Sequence, residues 1–274
     1  MKSKRNTLGC FLRFWRNLER EGKIELIFYI LWPAFTVLIA QVFNLNYLSL
    51  ILLSFGVPST VLFRELSERK HFLYFTTVFS VALSPFIDYI AHASDLWWIE
   101  TTLPRIWHYV PVESFLWGFF MTFYAVGFYE RYFRNNNHQG FRKYFYTLHI
   151  LAAASLLIIP FESLLPKTLY LPHLYLIGMT IIFLLPLAEY LHLDSANHSG
   201  LWITSIYFYY ANAMHEVAAL LNNIWKFPIG ENTAVLGTFN FLNHKIPFEE
   251  VTLYFGLLAP ALIAYYELLS KRAE

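Results

Sequence analysis

Eight apolar stretches alternate with short polar intervals along the chain, at roughly 25–43, 47–63, 72–91, 111–130, 145–162, 169–191, 200–222 and 247–268. A helix needs about 20 predominantly apolar residues to cross a bilayer. Most of the stretches meet that length, and the second is short enough to suit a half-inserted helix. The pattern predicts an all-α, polytopic membrane bundle of about eight transmembrane helices. The polar intervals then set its orientation. With the N-terminus inside, the inward segments carry seven Lys/Arg before the first stretch. They also carry Arg64, Arg69, Lys70, Arg131, Arg134, Arg142, Lys143, Lys271 and Arg272. The outward segments carry Arg105, Lys167, Lys226 and Lys245. Sixteen against four is a positive-inside bias. It places both termini on the cytoplasmic side of a cytoplasmic-membrane protein.

Composition agrees with that picture. Of 274 residues, 57% are hydrophobic and 14% charged, where a soluble chain carries about 25% charged. A net charge of +1 gives no argument for a nucleic-acid partner. One cysteine, Cys10, excludes an internal disulfide. The basic N-terminus runs into Asn17-Leu18-Glu19-Arg20-Glu21 rather than an apolar core and cleavage site. No removable signal peptide is expected, and residues 10–22 fit an amphipathic helix lying on the membrane surface.

A set of residues occurs twice. The first copy is Asp88, Trp97 and Pro111-Val112-Glu113-Ser114; the second is Glu216, Trp225 and Pro247-Phe248-Glu249-Glu250. The acid precedes the tryptophan by nine positions in both. An offset of 128 residues sets Pro58 on Pro186, Thr76 on Thr204, Asp88 on Glu216, Ala91 on Ala219 and Trp97 on Trp225 without a gap. After an eight-residue insertion, Phe119 matches Phe255, Ala125 matches Ala261 and Tyr129 matches Tyr265. Residues 25–134 and 145–274 are therefore read as two repeats, preceded by a basic cytoplasmic segment at 1–24. Four spans per repeat is an even number, so the halves share one orientation about an axis along the membrane normal.

Carboxylates at the edges of apolar spans are costly and point to function. Proline at a first helical position sacrifices no hydrogen bond, and a glutamate in the first turn is favoured by the helix dipole. The plain role of Glu113 and Glu249 is thus to start helices at the outer interface. The chemical role draws on Asp88 and Glu216, which sit near the outer ends of the preceding spans. Antiparallel neighbours would bring Asp88 level with Glu113, and Glu216 level with Glu249. Close carboxyls in an apolar pocket cannot all ionise, so one is expected to keep its proton.

Asp-x2-Ala, then Trp, then Pro-x-Glu-Glu resembles the membrane-integral lycopene cyclases of the heterodimeric and fused two-domain type. Here it reads Asp88-Tyr89-Ile90-Ala91, Trp97 and Pro111-Val112-Glu113, then Glu216-Val217-Ala218-Ala219, Trp225 and Pro247-Phe248-Glu249-Glu250. The resemblance covers roughly 70–130 and 198–268, and that family carries two copies of one small helical domain. Ser114 departs from it, standing where a second acid is usual. The resemblance implies an isomerase. A carboxylic acid protonates the terminal double bond of a linear carotenoid, the next double bond closes a six-membered ring, and a carboxylate removes a ring proton. No cofactor and no metal are expected, since an acid and a base suffice. Aromatic faces stabilise the cation by about 2 kcal/mol or more when desolvated. Trp97, Trp98, Trp107, Trp117, Trp225 and Tyr254 flank the acids and are the expected substrate-binding residues. Glu249 is the expected acid, with Glu250 tuning it or acting as base, and Glu113, Glu216 and Asp88 complete the catalytic set.

Other chemistries lack parts. The three aspartates, Asp88, Asp95 and Asp194, form no cluster to hold the magnesium of a prenyl diphosphate. Neither a Gly-x-Gly-x-x-Gly nor a phosphate-binding loop appears. His215-Glu216 begins like a zinc-protease motif, but Ala219 occupies the second histidine position. His192, Asp194 and His198 are of ligand type but sit in a loop, where solvated histidines are the rule. Asn197-His198-Ser199 fits a glycosylation pattern on the cytoplasmic side, where it goes unused. Two alternatives stand beside the cyclase. One is a protonation-initiated cyclase or hydratase of another isoprenoid lipid. The other is a non-enzymatic transporter or binding protein, for which charges near the bilayer centre would be expected.

Overall fold

The computed structural model describes residues 15, 19–66, 70–93, 96–106, 110–133, 138–141, 174–193, 198–229 and 235–272. Helix accounts for 79% of the structure, in seven long segments. Helix α1 is Arg20–Phe43. Helix α2 joins Tyr47–Ile51, a π-helical turn Leu52–Gly56 and Val57–Leu66. Helix α3 is Lys70–Ala93 and α4 is Val112–Phe133. Helix α5 is Leu174–Leu193 and α6 is Ser199–Leu221. Helix α7 opens with a π-helical turn Glu250–Phe255 and continues through Gly256–Leu269.

Five of these, α1, α2, α3, α5 and α7, are long and apolar enough to cross a membrane. The second stretch forms a continuous segment of crossing length, Tyr47–Arg64. Helices α4 and α6, 22 and 23 residues long, fall outside those five. They carry the polar load: Glu113, Ser114, Thr122 and Glu130 on α4, and Asn212, His215 and Glu216 on α6, all buried. The expected span at 145–162 and Trp107 lie outside the described residues, as does most of the expected surface helix at 10–22.

Burial sorts the helices. α4 packs against α2, α3, α6 and α7, and 14 of its 22 residues are buried, so it forms the centre. α1 is peripheral. Leu31, Leu38 and Val42 on it are 61%, 63% and 76% exposed, and Ile177, Ile181 and Leu185 on α5 are similarly bare. Apolar faces of this extent are unfavourable in water and suit lipid. The protein is a helical membrane protein.

The connections at one end contain short strands that the hydrophobic pattern did not reveal. β1 (Trp98–Ile99) pairs antiparallel with β5 (Trp225–Lys226), in the register Trp98 to Lys226 and Ile99 to Trp225. β2 (Arg105–Ile106) pairs with β3 (Val110–Pro111), and β6 (Thr238–Phe241) with β7 (His244–Pro247). At the opposite end, past the C-termini of α4 and α7, β4 (His138–Phe141) pairs with β8 (Ser270–Arg272). Pro111 and Pro247 each end a strand one residue before a helix, rather than opening the helix itself. At the β1–β5 end Asn222 ties α1 to α6: its amide donates to Ala40 O (3.0 Å) and Leu45 O (3.1 Å) and accepts from Gln41 (2.6 Å).

Candidate active site

Four helix ends meet where the β1–β5 bridge lies. Asp88 comes from the last turns of α3, Glu113 and Ser114 from the first turn of α4, Glu216 from the last turns of α6, and Glu249 and Glu250 from the start of α7. All six are buried, Glu113 and Glu250 completely. The two-residue bridge pins the loops after α3 and α6 together, which sets Trp97 against Trp225 at a centroid distance of 5.5 Å. Trp97 also meets Tyr175 at 5.3 Å and Tyr254 at 5.7 Å, both edge-on. Tyr254 stacks on Trp117 at 5.5 Å, and Tyr47 closes on Trp225 at 6.1 Å. Edge-to-face and offset geometries are those aromatic quadrupoles favour, and the acids sit among them.

The two Pro-x-Glu glutamates do the same local work. Glu113 Oε1 accepts the backbone N–H groups of Thr102 (2.7 Å) and Leu103 (2.6 Å). Glu249 Oε1 accepts the N–H of Leu236 at 2.5 Å. Each carboxylate ties down the loop that precedes its helix, satisfying donors that burial would otherwise orphan. They do start helices, but they point inward at loop backbone rather than out at headgroups.

Glu250 differs. Its Oε2 accepts a side-chain hydroxyl, that of Tyr175 at 3.1 Å in a buried contact, while its Oε1, like Oε2 of Glu113 and Glu249, has no hydrogen-bond partner. The carboxyl feels the charge of Glu216, whose Oε1 also lacks a partner. Glu250 lies one turn from Tyr254 on α7. In the other half Ser114 stands beside Asp88, yet the Ser114 hydroxyl and Asp88 Oδ2 make no bond of ordinary geometry. Behind Trp117, the imidazole of His215 meets Ser54 Oγ at 2.9 Å and Phe55 at 4.7 Å, across the π-helical turn of α2.

Arg105 is the cation of the site. It sits over the Trp98 ring at 4.1 Å and donates to Ile99 O. With Asp88, His92, Trp97, Ile99 and Pro111 it lines a small cleft. Partial burial pulls its guanidinium below its ordinary value, against the opposing pull of Asp88, Glu113 and Glu100. Trp98 itself is 37% exposed and faces Arg105 and His92. The expectation that it binds substrate with the other tryptophans does not match this placement, because the strand alternation turns it away from Trp97.

A cavity opens between the halves, lined by Tyr47, Ser84, Ile87, Asp88, Ser114, Trp117, Trp225 and Tyr254. It has room for about one water, so a larger guest requires the lining side chains to move apart. Gly118 keeps its wall thin. A Cβ there would lie 1.7 Å from Ser84 Oγ and 3.0 Å from Ser84 Cβ. Gly118→Ala is expected to destabilise the protein by about 1–3 kcal/mol and to drive Ser84 into the cavity, read as a lower melting temperature in detergent. An unchanged melting temperature would show that the Ser84 hydroxyl turns aside without cost.

Tyr47, Tyr175 and Arg105 belong to the site and were not picked out from sequence. The tyrosines had a signal: the 128-residue offset sets Tyr47 on Tyr175. Arg105 had none, being one charge in a polar loop. Asp194 lies outside the described residues, while His192 is exposed and His198 packs on Tyr190 at 5.4 Å. Among the described residues no three metal-ligating side chains converge. No protein-family model, curated protein or solved structure matches the chain.

Proposed function

We propose that this protein is a cofactor-independent membrane isomerase that closes a ring at the end of a linear carotenoid such as lycopene. The observation that carries the reading is the set of buried carboxyls with unpartnered oxygens, Asp88, Glu113, Glu216, Glu249 and Glu250, around a box of Trp97, Trp117, Trp225 and Tyr254. A carbocation route needs a proton donor, a proton acceptor and water-excluding aromatic walls, and little else.

The surroundings divide the roles. Glu216 and Glu250 are both buried and each keeps an unpartnered oxygen, so the proton to be donated is assigned to that pair, with Glu250 as the acid. Asp88 borders the cavity and has Arg105 nearby, so it is placed as the acceptor. Glu249, held by Leu236, and Glu113, held by Thr102 and Leu103, shape the loops. This moves the acid from Glu249, the expectation from sequence, to its neighbour. The proton leaves Glu250 for the terminal double bond, the next double bond attacks the tertiary cation, and a ring proton passes to Asp88. The product has the mass of the substrate, and the carboxyls exchange the proton back.

The same reading treats the chain as two parallel repeats of four spans in a cytoplasmic membrane, with both termini cytoplasmic and the carboxyls toward the outer leaflet. Its substrate is then a lipid-soluble polyene entering from the bilayer. Room for about one water beside Asp88 supports a second reading, in which water traps the cation and the enzyme is a hydratase. Purified protein in lycopene-loaded vesicles made in deuterium oxide separates the two. Ring closure replaces one hydrogen by one deuterium per ring and otherwise leaves the elemental composition of the substrate unchanged. Hydration adds the mass of one heavy water. An unaltered polyene would contradict both and favour a transporter or binding protein.

A further inference from the structure

Two tyrosines occupy corresponding places in the two halves of the chamber. Tyr47 begins α2 and Tyr175 lies in the first turn of α5, 128 residues apart, the same offset that relates Asp88 to Glu216 and Trp97 to Trp225. Their packing is crossed. Tyr47 of the first half lies against Trp225 of the second, and Tyr175 of the second half lies against Trp97 of the first. The β1–β5 bridge, which pairs Ile99 with Trp225 and Trp98 with Lys226, joins the two loops. Each half thus contributes a tyrosine, a helix-end acid, a tryptophan and a loop-holding glutamate. One position breaks the match: the residue after the loop-holding glutamate is Ser114 in the first half and Glu250 in the second.

That difference decides what each tyrosine can hold. Tyr175 donates to Glu250 Oε2 at 3.1 Å. A carboxyl with one oxygen fixed in this way and the other without a partner has one orientation and one free oxygen. Tyr47 has only the short Ser114 hydroxyl in the equivalent place, near Asp88. Both tyrosines are buried, so neither competes with bulk water for its partner.

We infer that Tyr175 is a positioning residue: it fixes Glu250 with its free oxygen toward the aromatic box, and the crossed half-site at Tyr47 lacks this device. The tyrosine–carboxyl contact is therefore one-sided, made in the second half alone. This rests on the cyclase reading for its kinetic consequence but not for its geometry.

The test uses the full-length protein in lipid vesicles. Infrared difference spectra of wild type against Glu250→Gln first assign the Glu250 band, whether carboxylic or carboxylate. Tyr175→Phe keeps the ring against Trp97 and removes the hydroxyl. It is expected to shift the Glu250 band, while Tyr47→Phe leaves that band in place. With lycopene, Tyr175→Phe is expected to lower kcat about tenfold with KM within about twofold, the loss of one hydrogen bond to an acidic group. A Glu250 band unmoved by Tyr175→Phe, or moved equally by Tyr47→Phe, would overturn the inference. Should Tyr175→Phe fail to fold, the tyrosine C–O stretch of isotopically labelled protein gives the same answer from the other partner. It must shift in Glu250→Gln, and an unshifted stretch overturns the inference. A band shift without any cyclisation by wild type would leave Tyr175 as the positioner and sink the cyclase reading instead.

Discussion

Glu250→Gln is expected to abolish ring closure while the protein still folds and inserts. The amide is nearly isosteric, and its oxygen can still accept the Tyr175 hydroxyl that Glu250 Oε2 accepts at 3.1 Å. What is lost is the transferable proton. Removing a general acid typically costs roughly 10²–10⁴-fold in rate. Glu249→Gln serves as the contrast. Its oxygen can still accept the Leu236 N–H that Glu249 accepts at 2.5 Å, so the loop stays in place and the expected rate loss is below about tenfold. Initial rates in lycopene-loaded vesicles, normalised to inserted protein, compare the two. A dead Glu249→Gln beside an active Glu250→Gln would return the acid to the first glutamate of the pair.

Trp97→Leu carries the second large effect. Trp97 is the hub of the box, touching Tyr175, Trp225 and Tyr254 at 5.3, 5.5 and 5.7 Å. Losing an aromatic face beside a desolvated cation removes about 2 kcal/mol, which is roughly thirtyfold in rate. Emptying part of a packed aromatic site adds a loss of about 2–4 kcal/mol in stability. Trp97→Phe keeps a ring and should retain most of the activity. Trp98→Leu is the neighbouring control: its ring faces Arg105 rather than the box, so activity within about threefold of wild type is expected. Equal losses in Trp97→Leu and Trp98→Leu would show that the box does not stabilise a cation.

The pattern of apolar stretches foretold a mostly helical chain with several helices of crossing length, because a membrane helix needs little beyond length and hydrophobicity. Helices α1, α3 and α5 lie inside stretches named from composition alone, give or take a few residues. The same rule handles α4 and α6 less well, since their glutamates, asparagine and histidine are hidden inside the bundle where hydropathy does not reach. The strand bridges escaped notice for another reason. Two-residue pairings such as Ile99 with Trp225 have no periodicity to read. The acids and the tryptophans were legible from their recurrence. Their division of labour was not: Glu249 and Glu250 are neighbours in sequence, and only the positions of Leu236 and Tyr175 in space distinguish a carboxyl held by loop backbone from one held by a side-chain hydroxyl. Arg105, brought to Asp88 by the β2–β3 hairpin, required the fold as well.

The most direct test is to express the intact chain in a bacterial host that accumulates lycopene and to resolve its pigments by chromatography and absorption spectrum. The account predicts conversion of lycopene to a monocyclic or bicyclic carotene of the same mass, lost in the Glu250→Gln variant. Unchanged lycopene, with the protein present in the membrane, would contradict it.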